Sequence, residues 1–266
     1  MKYSYILFLT IVLGASSCKQ SDPIEKVYQQ VWSDEFDGTE LDLSKWDIQL
    51  GNGAQYGILN WGNNEEQYYQ EDNVEVSDGK LLIKARAEAV GGYEYTSGRI
   101  RSLNSGDFKY GKMEASIRMA STPGLWHAFW MLPSEPSDSW PVSGEIDIME
   151  FVGNRPNEIF NTIHFADSQG NHRQLGELEG FFPSPIFHKY AVEWDENSIT
   201  WFLDDVETYK VLRNNDLISA TWPFDAEFHL LLNTAIGGNL GGDVNSQALQ
   251  SEKLLEVEYI RVYQTI

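Results

Sequence analysis

Ser143-Gly144-Glu145-Ile146-Asp147-Ile148-Met149-Glu150-Phe151 places three carboxylates within six positions and fills every gap between them with an apolar residue. In a β-strand, residues two apart share a face. Glu145 and Asp147 therefore project together, while Ile146 and Ile148 point the other way into a core. Strict alternation leaves Glu150 on the wrong face. One extra residue, a β-bulge at or near Met149, returns it to the side of Glu145 and Asp147, and bulges are over-represented beside active sites because they re-aim a side chain. With the bulge the two glutamate Cα atoms lie about four strand rises apart, on the order of 13 Å. Extended side chains leaning together across the shorter Asp147 can approach the roughly 5–5.5 Å at which one carboxyl acts as nucleophile and the other as acid. A solvated acidic face, or one that holds a structural cation, would suffice for an isolated E-x-D. Three acids on one face repel one another, and such repulsion is retained where the charges have a use.

The chain has 266 residues, which suits one large all-β domain behind a short leader. Forty acidic against nineteen basic residues give a formal charge of −21, which argues against nucleic acid and anionic membrane surfaces as partners. A neutral polymer is compatible with it. Nine Trp and thirteen Tyr exceed what a core of this size needs, so both an aromatic-rich core and exposed aromatic platforms are expected.

Met1-Lys2, the apolar run Tyr5 to Leu13 and the small residues Gly14-Ala15-Ser16-Ser17 lead directly to Cys18, the sole cysteine. That run is too short to span a bilayer and fits a signal-peptide core. Residues 1–18 resemble a bacterial lipoprotein signal with Cys18 as the lipidated residue, although Ala15 stands where such signals usually carry Leu. The expectation is an exported cell-envelope lipoprotein, with simple secretion as the alternative, whose only membrane contact is that lipid. With one cysteine there is no disulfide, and the domain is held by core packing. Residues 19–27, polar and containing Pro23, read as a tether, and residues 28–266 as a single domain, expected to be monomeric.

That domain reads as strands separated by turns. Met113, Ala115, Ile117 and Met119 alternate with Lys112, Glu114, Ser116 and Arg118, the pattern of a half-buried strand. Lys80 to Ala85 follows the turn Asp78-Gly79; Tyr190 to Trp194 and Ile199 to Leu203 flank a hairpin turn; Phe228 to Leu232 and Leu255 to Tyr263 complete the set. No amphipathic helix of useful length appears. Many short strands punctuated by Gly, Asn and Asp indicate a β-sandwich or jelly roll. Gly237-Gly238-Asn239-Leu240-Gly241-Gly242 lacks the Lys-Ser/Thr ending of a phosphate loop and reads as a flexible loop at the edge of a cleft.

In Gly124 to Leu132, Trp126, Ala128 and Trp130 share a face opposite His127, Phe129 and Met131. Tryptophans spaced in this way can stack on the apolar C–H faces of sugar rings. Asn63, Arg99, Trp140, His164 and Asn233 are further candidates for hydroxyl or stacking contacts; His164 fits a structural role or a place beside the carboxylates equally well. No His/Cys cluster has zinc spacing, and no G-x-S-x-G elbow is present.

Trp140-Pro141-x-x-Gly144-Glu145-Ile146-Asp147-Ile148-Met149-Glu150 resembles the bulged E-x-D-x-x-E signature of glycoside hydrolase family 16. Trp32 to Asp37, Asn63-Asn64-Glu65-x-Gln67-Tyr68-Tyr69, Tyr110 to Glu114, Gly124 to Leu132, Pro223-Phe224-Asp225, Leu232 to Asn239 and Tyr259 to Tyr263 resemble the bacterial laminarinase branch. The resemblance covers nearly everything after residue 28. It implies a concanavalin A-like β-jelly roll with a concave cleft and endo-cleavage of β-glucans with retention. Glu145 resembles the nucleophile, Glu150 the general acid/base, and Asp147 the residue that assists the nucleophile. The neighbouring charges are expected to raise the Glu150 pKa. The leading expectation is an endo-β-1,3-glucanase acting on laminarin-like polymers. A mixed-linkage β-1,3-1,4-glucanase, an algal galactan hydrolase and a non-catalytic carbohydrate-binding protein are the alternatives. The resemblance implies catalysis without a cofactor. The resemblance also implies a structural Ca²⁺ held by Glu35, the Gly79 carbonyl and Glu258, the last standing where relatives usually have Asp.

Overall fold

The computed structural model describes residues 26–180 and 186–266. The expected leader with Cys18, and the tether up to residue 25, lie outside them. Two large antiparallel sheets carry the domain. The first runs, edge to edge, through His172–Gly180, Glu158–Ala166, Glu145–Val152, Leu125–Pro133, Phe228–Ile236, Arg99–Arg101 and Asp47–Ile48. The second runs through Val206–Leu212, Ser198–Leu203, His188–Trp194, Gly111–Met119, Lys253–Thr265, Lys80–Ala85 and Val74–Ser77, with Tyr28–Asp34 also on Lys253–Thr265. Between the sheets lies a large core, with a smaller apolar cluster of Ala85, Tyr95, Leu125, Ile236 and Leu249 beside it. Phe129, Met131, Ile146, Ile148, Met149, Phe151, Ile163 and Phe165 from the first meet Met113, Ala115, Ile117, Tyr190, Val192, Ile260 and Val262 from the second. Alternation puts those residues inward and leaves the opposite face of the first sheet for the acids. This is the jelly-roll sandwich expected from the strand pattern, and helices among the described residues are single turns.

Two strands are longer than the sequence pattern suggests: Phe228–Ile236 and Lys253–Thr265 keep pairing past Leu232 and Tyr263. The strand Gly111–Met119 is not half-exposed as expected. Its outward Glu114 and Ser116 are buried, because Tyr263 and Lys112 reach over Glu114 and Glu258 accepts a hydrogen bond from Ser116. The segment expected to be a flexible loop instead forms one helical turn, Gly238–Gly241, tied by Gly237 N–H to the Gly124 carbonyl (2.7 Å) and by Asn239 N–H to that of Asn63 (2.8 Å).

The bulge is present. Against Leu125–Pro133, Phe129 pairs with Met149 but Trp130 pairs with Asp147; against Glu158–Ala166, Asp147 pairs with Thr162 but Glu150 with Phe160. Ile148 and Met149 together thus oppose one residue, Asn161. A bulge leaves backbone groups without ladder partners. Here the side chain of Asn161 donates to the Ile148 carbonyl (2.8 Å), and Trp201 Nε1, from the other sheet, donates to that of Asp147 (2.8 Å). Both bonds are buried, where an unpaired carbonyl is costly.

Candidate active site

Gly144 opens the acidic strand with φ 83°, and a Cβ there would lie 2.7 Å from Pro223 Cγ. Glycine suits both the left-handed turn and the close approach. It delivers the chain from the cis Trp140–Pro141 peptide into Glu145. The bulge then sets Glu145, Asp147 and Glu150 on one face, with Glu145 partly exposed and Asp147 and Glu150 buried. Each glutamate receives an indole N–H: Trp140 Nε1 donates to Glu145 Oε2 (2.7 Å), and Trp126 Nε1 donates to Glu150 Oε1 (2.9 Å). His164, paired across the ladder with Glu145, brings Nε2 to 3.1 Å from Asp147 Oδ2. That approach is oblique, since Asp147 Oδ2 has no well-aligned hydrogen-bond donor.

Burial raises all three carboxyl pKa values. For Glu145 desolvation comes first and the charge of Asp147 second, against His164 and the Trp140 N–H, and the value is pushed up to about 8. Asp147 rises to about 7 by burial, partly offset by a hydrogen bond from Glu145. Glu150 stands well above the ordinary glutamate range, through burial first, then Asp147 and Glu145, against His164 and the Trp126 N–H. The rise expected for Glu150 from its neighbours' charges is present, with desolvation the larger cause. Three carboxyls this close share protons rather than ionise together. The most strongly raised, Glu150, is suited to hold a proton, and Glu145, with His164 and Trp140 favouring its charge, is suited to attack.

The other expected contacts divide into two groups. Trp126 and Trp130 lie half-buried on the face of the acids, and Trp140 is 49 % exposed beside them. Asn63 is partly exposed at the edge and donates to Glu65 (3.3 Å). Arg99 and Asn233, expected to touch substrate, are buried, at 5 % and 4 % exposure, on the sheet face of the acids, Asn233 standing opposite Ala128 and Ala128 opposite Glu150. The Arg99 guanidinium is held between the Trp61 and Trp130 rings (4.5 and 4.8 Å) and donates to Gln49 (2.6 Å). Asn233 accepts from Trp130 Nε1 (2.8 Å) and donates to the Tyr69 hydroxyl (3.1 Å). Both hold Trp130, Arg99 by packing on its ring and Asn233 by accepting its N–H.

Below the same platform Glu65, Gln67 and Tyr69 form a buried network: Gln67 and Tyr69 both donate to Glu65, at 2.6 and 3.1 Å. These residues were visible in the sequence only as part of the family resemblance. His172, missed altogether, places Nε2 2.8 Å from His164 Nδ1 and its ring 4.7 Å from that of Trp140. Its signal appears only once the hairpin pairing Ala166 with His172 is known.

Glu35 and Gly79 both adjoin strands that pair with Lys253–Thr265, which carries Glu258. Arg261, however, holds both Glu35 oxygens (2.9 and 2.7 Å), and Glu258 Oε2 accepts from Ser116 (2.6 Å). Calcium takes about six to eight oxygen ligands. A set whose first carboxylate is already neutralised by a guanidinium does not fit it.

The sequence profile of the glycosyl hydrolases of family 16 matches residues 61–250. A beta-glucanase of Rhodothermus marinus is 38% identical over 97% of this chain and 94% of its own length. Glucan endo-1,3-beta-glucosidase A1 of Niallia circulans is 35% identical over 91% of this chain, which spans only 39% of that longer protein. Among solved structures, the laminarinase catalytic domain of Thermotoga maritima superposes with a TM-score of 0.83 at 34% identity, covering 90% of this chain and 99% of the other. The laminarinase of Rhodothermus marinus gives a TM-score of 0.80 at 37% identity, covering 91% and 99%.

Proposed function

The chain belongs to the glycosyl hydrolases of family 16, and from that membership we propose that it is a retaining endo-glycosidase cutting β-1,3-glucosidic bonds within laminarin-like β-glucans. The observation that carries the reading is the bulge-aligned pair Glu145 and Glu150, each bonded to an indole N–H, with Asp147 between them. The glucanase and laminarinase relatives support the substrate class.

In this mechanism Glu145 attacks the anomeric carbon. A carboxylate oxygen–carbon bond forms as the glycosidic carbon–oxygen bond breaks, and Glu150 gives its proton to the departing oxygen. Glu150, now ionised, takes a proton from water, which displaces Glu145 and restores the original configuration. Asp147 assists by exchanging a hydrogen bond with Glu145 as the charge on that residue comes and goes. Trp126, Trp130 and Trp140 offer flat apolar surfaces beside the acids for the C–H faces of glucose units.

Parallel digestion of laminarin, lichenan and agarose tests the substrate, with reducing ends expected to appear fastest from laminarin. Glu145→Gln is expected to lose several orders of magnitude in kcat while remaining folded. Azide separates the roles. With an activated glycoside it should restore turnover to Glu150→Ala as the β-azide and to Glu145→Ala as the α-azide, and the reverse pairing would exchange the assignments.

The same proposal has the enzyme exported as a monomer anchored through lipid at Cys18, supported by the apolar run ahead of that residue. Labelled palmitate should enter the wild-type protein and not Cys18→Ser.

A further inference from the structure

Glu145 and Asp147 sit within a run of contacts. Trp140 donates to Glu145; the Trp140 ring lies against His172; His172 Nε2 and His164 Nδ1 are 2.8 Å apart; His164 Nε2 is 3.1 Å from Asp147; and Asp147 pairs with Glu145. His172 is the member that touches no carboxylate, and the cleavage chemistry above gives it no part. Strand register explains its place. It stands opposite Ala166 while His164 stands opposite Gln174, so the two histidines are diagonal neighbours on one face. Their ring planes are only 19° apart.

Two imidazole nitrogens 2.8 Å apart share one proton, so one ring donates and the other accepts. Burial, the first cause, holds His172 below the ordinary imidazole range, so it is neutral at neutral pH with a single N–H to give. A carboxylate beside His164 Nε2 favours an N–H on that nitrogen, which leaves Nδ1 as an acceptor. His172 Nε2–H meets that need.

We propose that His172 is a positioning residue that fixes His164 as the Nε2–H tautomer, so that a proton rather than a lone pair stands 3.1 Å from Asp147, and so keeps the Asp147–Glu145 pair set for attack. This rests on the glycosidase reading above. In the family of interactions that orient a catalytic side chain, the partner acts through the proton it assigns rather than by touching substrate.

Two substitutions separate the proton from the packing, and His172 is exposed enough for both to fold. His172→Phe keeps a ring against Trp140 but has no N–H. His172→Gln keeps an amide N–H near the position of Nε2. Nitrogen-15 NMR of the full chain reads the His164 tautomer, and laminarin hydrolysis reads kcat and KM. The wild type should show His164 protonated at Nε2 only. His172→Phe should show mixed tautomers and a roughly tenfold lower kcat with KM within about twofold, the size expected for one hydrogen bond. His172→Gln should restore both. An unchanged His164 tautomer in His172→Phe, or equal losses in the Phe and Gln variants, would overturn the proposal. Should the wild type cleave no glucan, the functional reading fails by itself, and the tautomer alone decides the role of His172.

Discussion

The side chain of Asn161 lies directly across the bulge and donates to the Ile148 carbonyl at 2.8 Å, while its own oxygen accepts from Thr208 Oγ1 at 2.9 Å. One buried amide thus fills the ladder gap that the extra residue creates, and the placement of Glu150 depends on that gap. Asn161→Ala leaves the carbonyl buried without a donor, which costs about 1–3 kcal/mol. The expected outcome is a lower melting temperature together with at least a tenfold loss of kcat. A variant that melts early yet keeps wild-type kcat would show that the bulge holds its register without Asn161.

Trp126 and Glu150 supply a second prediction. The indole N–H bonds the acid/base at 2.9 Å and favours its ionised form, opposing the rise that burial causes. Trp126→Phe keeps the aromatic surface and removes the bond, so the Glu150 pKa moves further up. The alkaline limb of the pH–rate profile should shift upward. At neutral pH kcat should fall roughly ten- to a hundredfold, since the carboxylate left after proton donation loses a charge-assisted bond of about 1.5–3 kcal/mol. A downward shift of the limb would show that Glu150 does not titrate it.

Glu145 links catalysis to stability. Its pKa is raised from 4.5 to about 8, so the folded protein binds this proton more tightly than the unfolded chain does. The resulting stabilisation is complete below the unfolded value and is lost as pH rises through the folded one. Glu145→Gln mimics the protonated form at every pH. Its melting temperature should therefore match wild type near about pH 5 and exceed it by a growing margin toward about pH 9. Differential scanning calorimetry at both ends checks the sign, and a margin that shrinks with pH would contradict the raised value.

Much of this site can be read in the sequence because its central feature breaks a period. Glu145, Asp147 and Glu150 cannot share a face under strict alternation, so the bulge is implied by the acids themselves. Trp126 and Trp130 follow from the same two-residue period. What escapes is whatever depends on a partner far along the chain. Trp201 reaches Asp147 from the opposite sheet, and His172 reaches His164 only through hairpin register. Arg99 and Asn233 have the chemistry of sugar-binding residues, and their burial comes with partners far along the chain, Gln49 and Trp61 for the first and Tyr69 and Trp130 for the second, which period and propensity do not describe.

The hold on Trp130 sets the last prediction. Trp130 is fixed by Asn233 and by Arg99, which is itself packed on Trp61. Tyr69, bonded to Asn233, ties the assembly to the buried carboxylate of Glu65. None of these groups bonds the acids directly, so loosening them should weaken binding of the ground and transition states alike. Asn233→Ala is expected to raise KM for laminarin about tenfold with kcat within about threefold, the loss of one buried hydrogen bond. Trp130→Phe removes the other end of the same bond, so the double variant should fall well short of the sum of the two single losses. Fully additive losses would mean that Asn233 meets the polysaccharide itself, and the buried platform would then be part of the binding surface rather than its support.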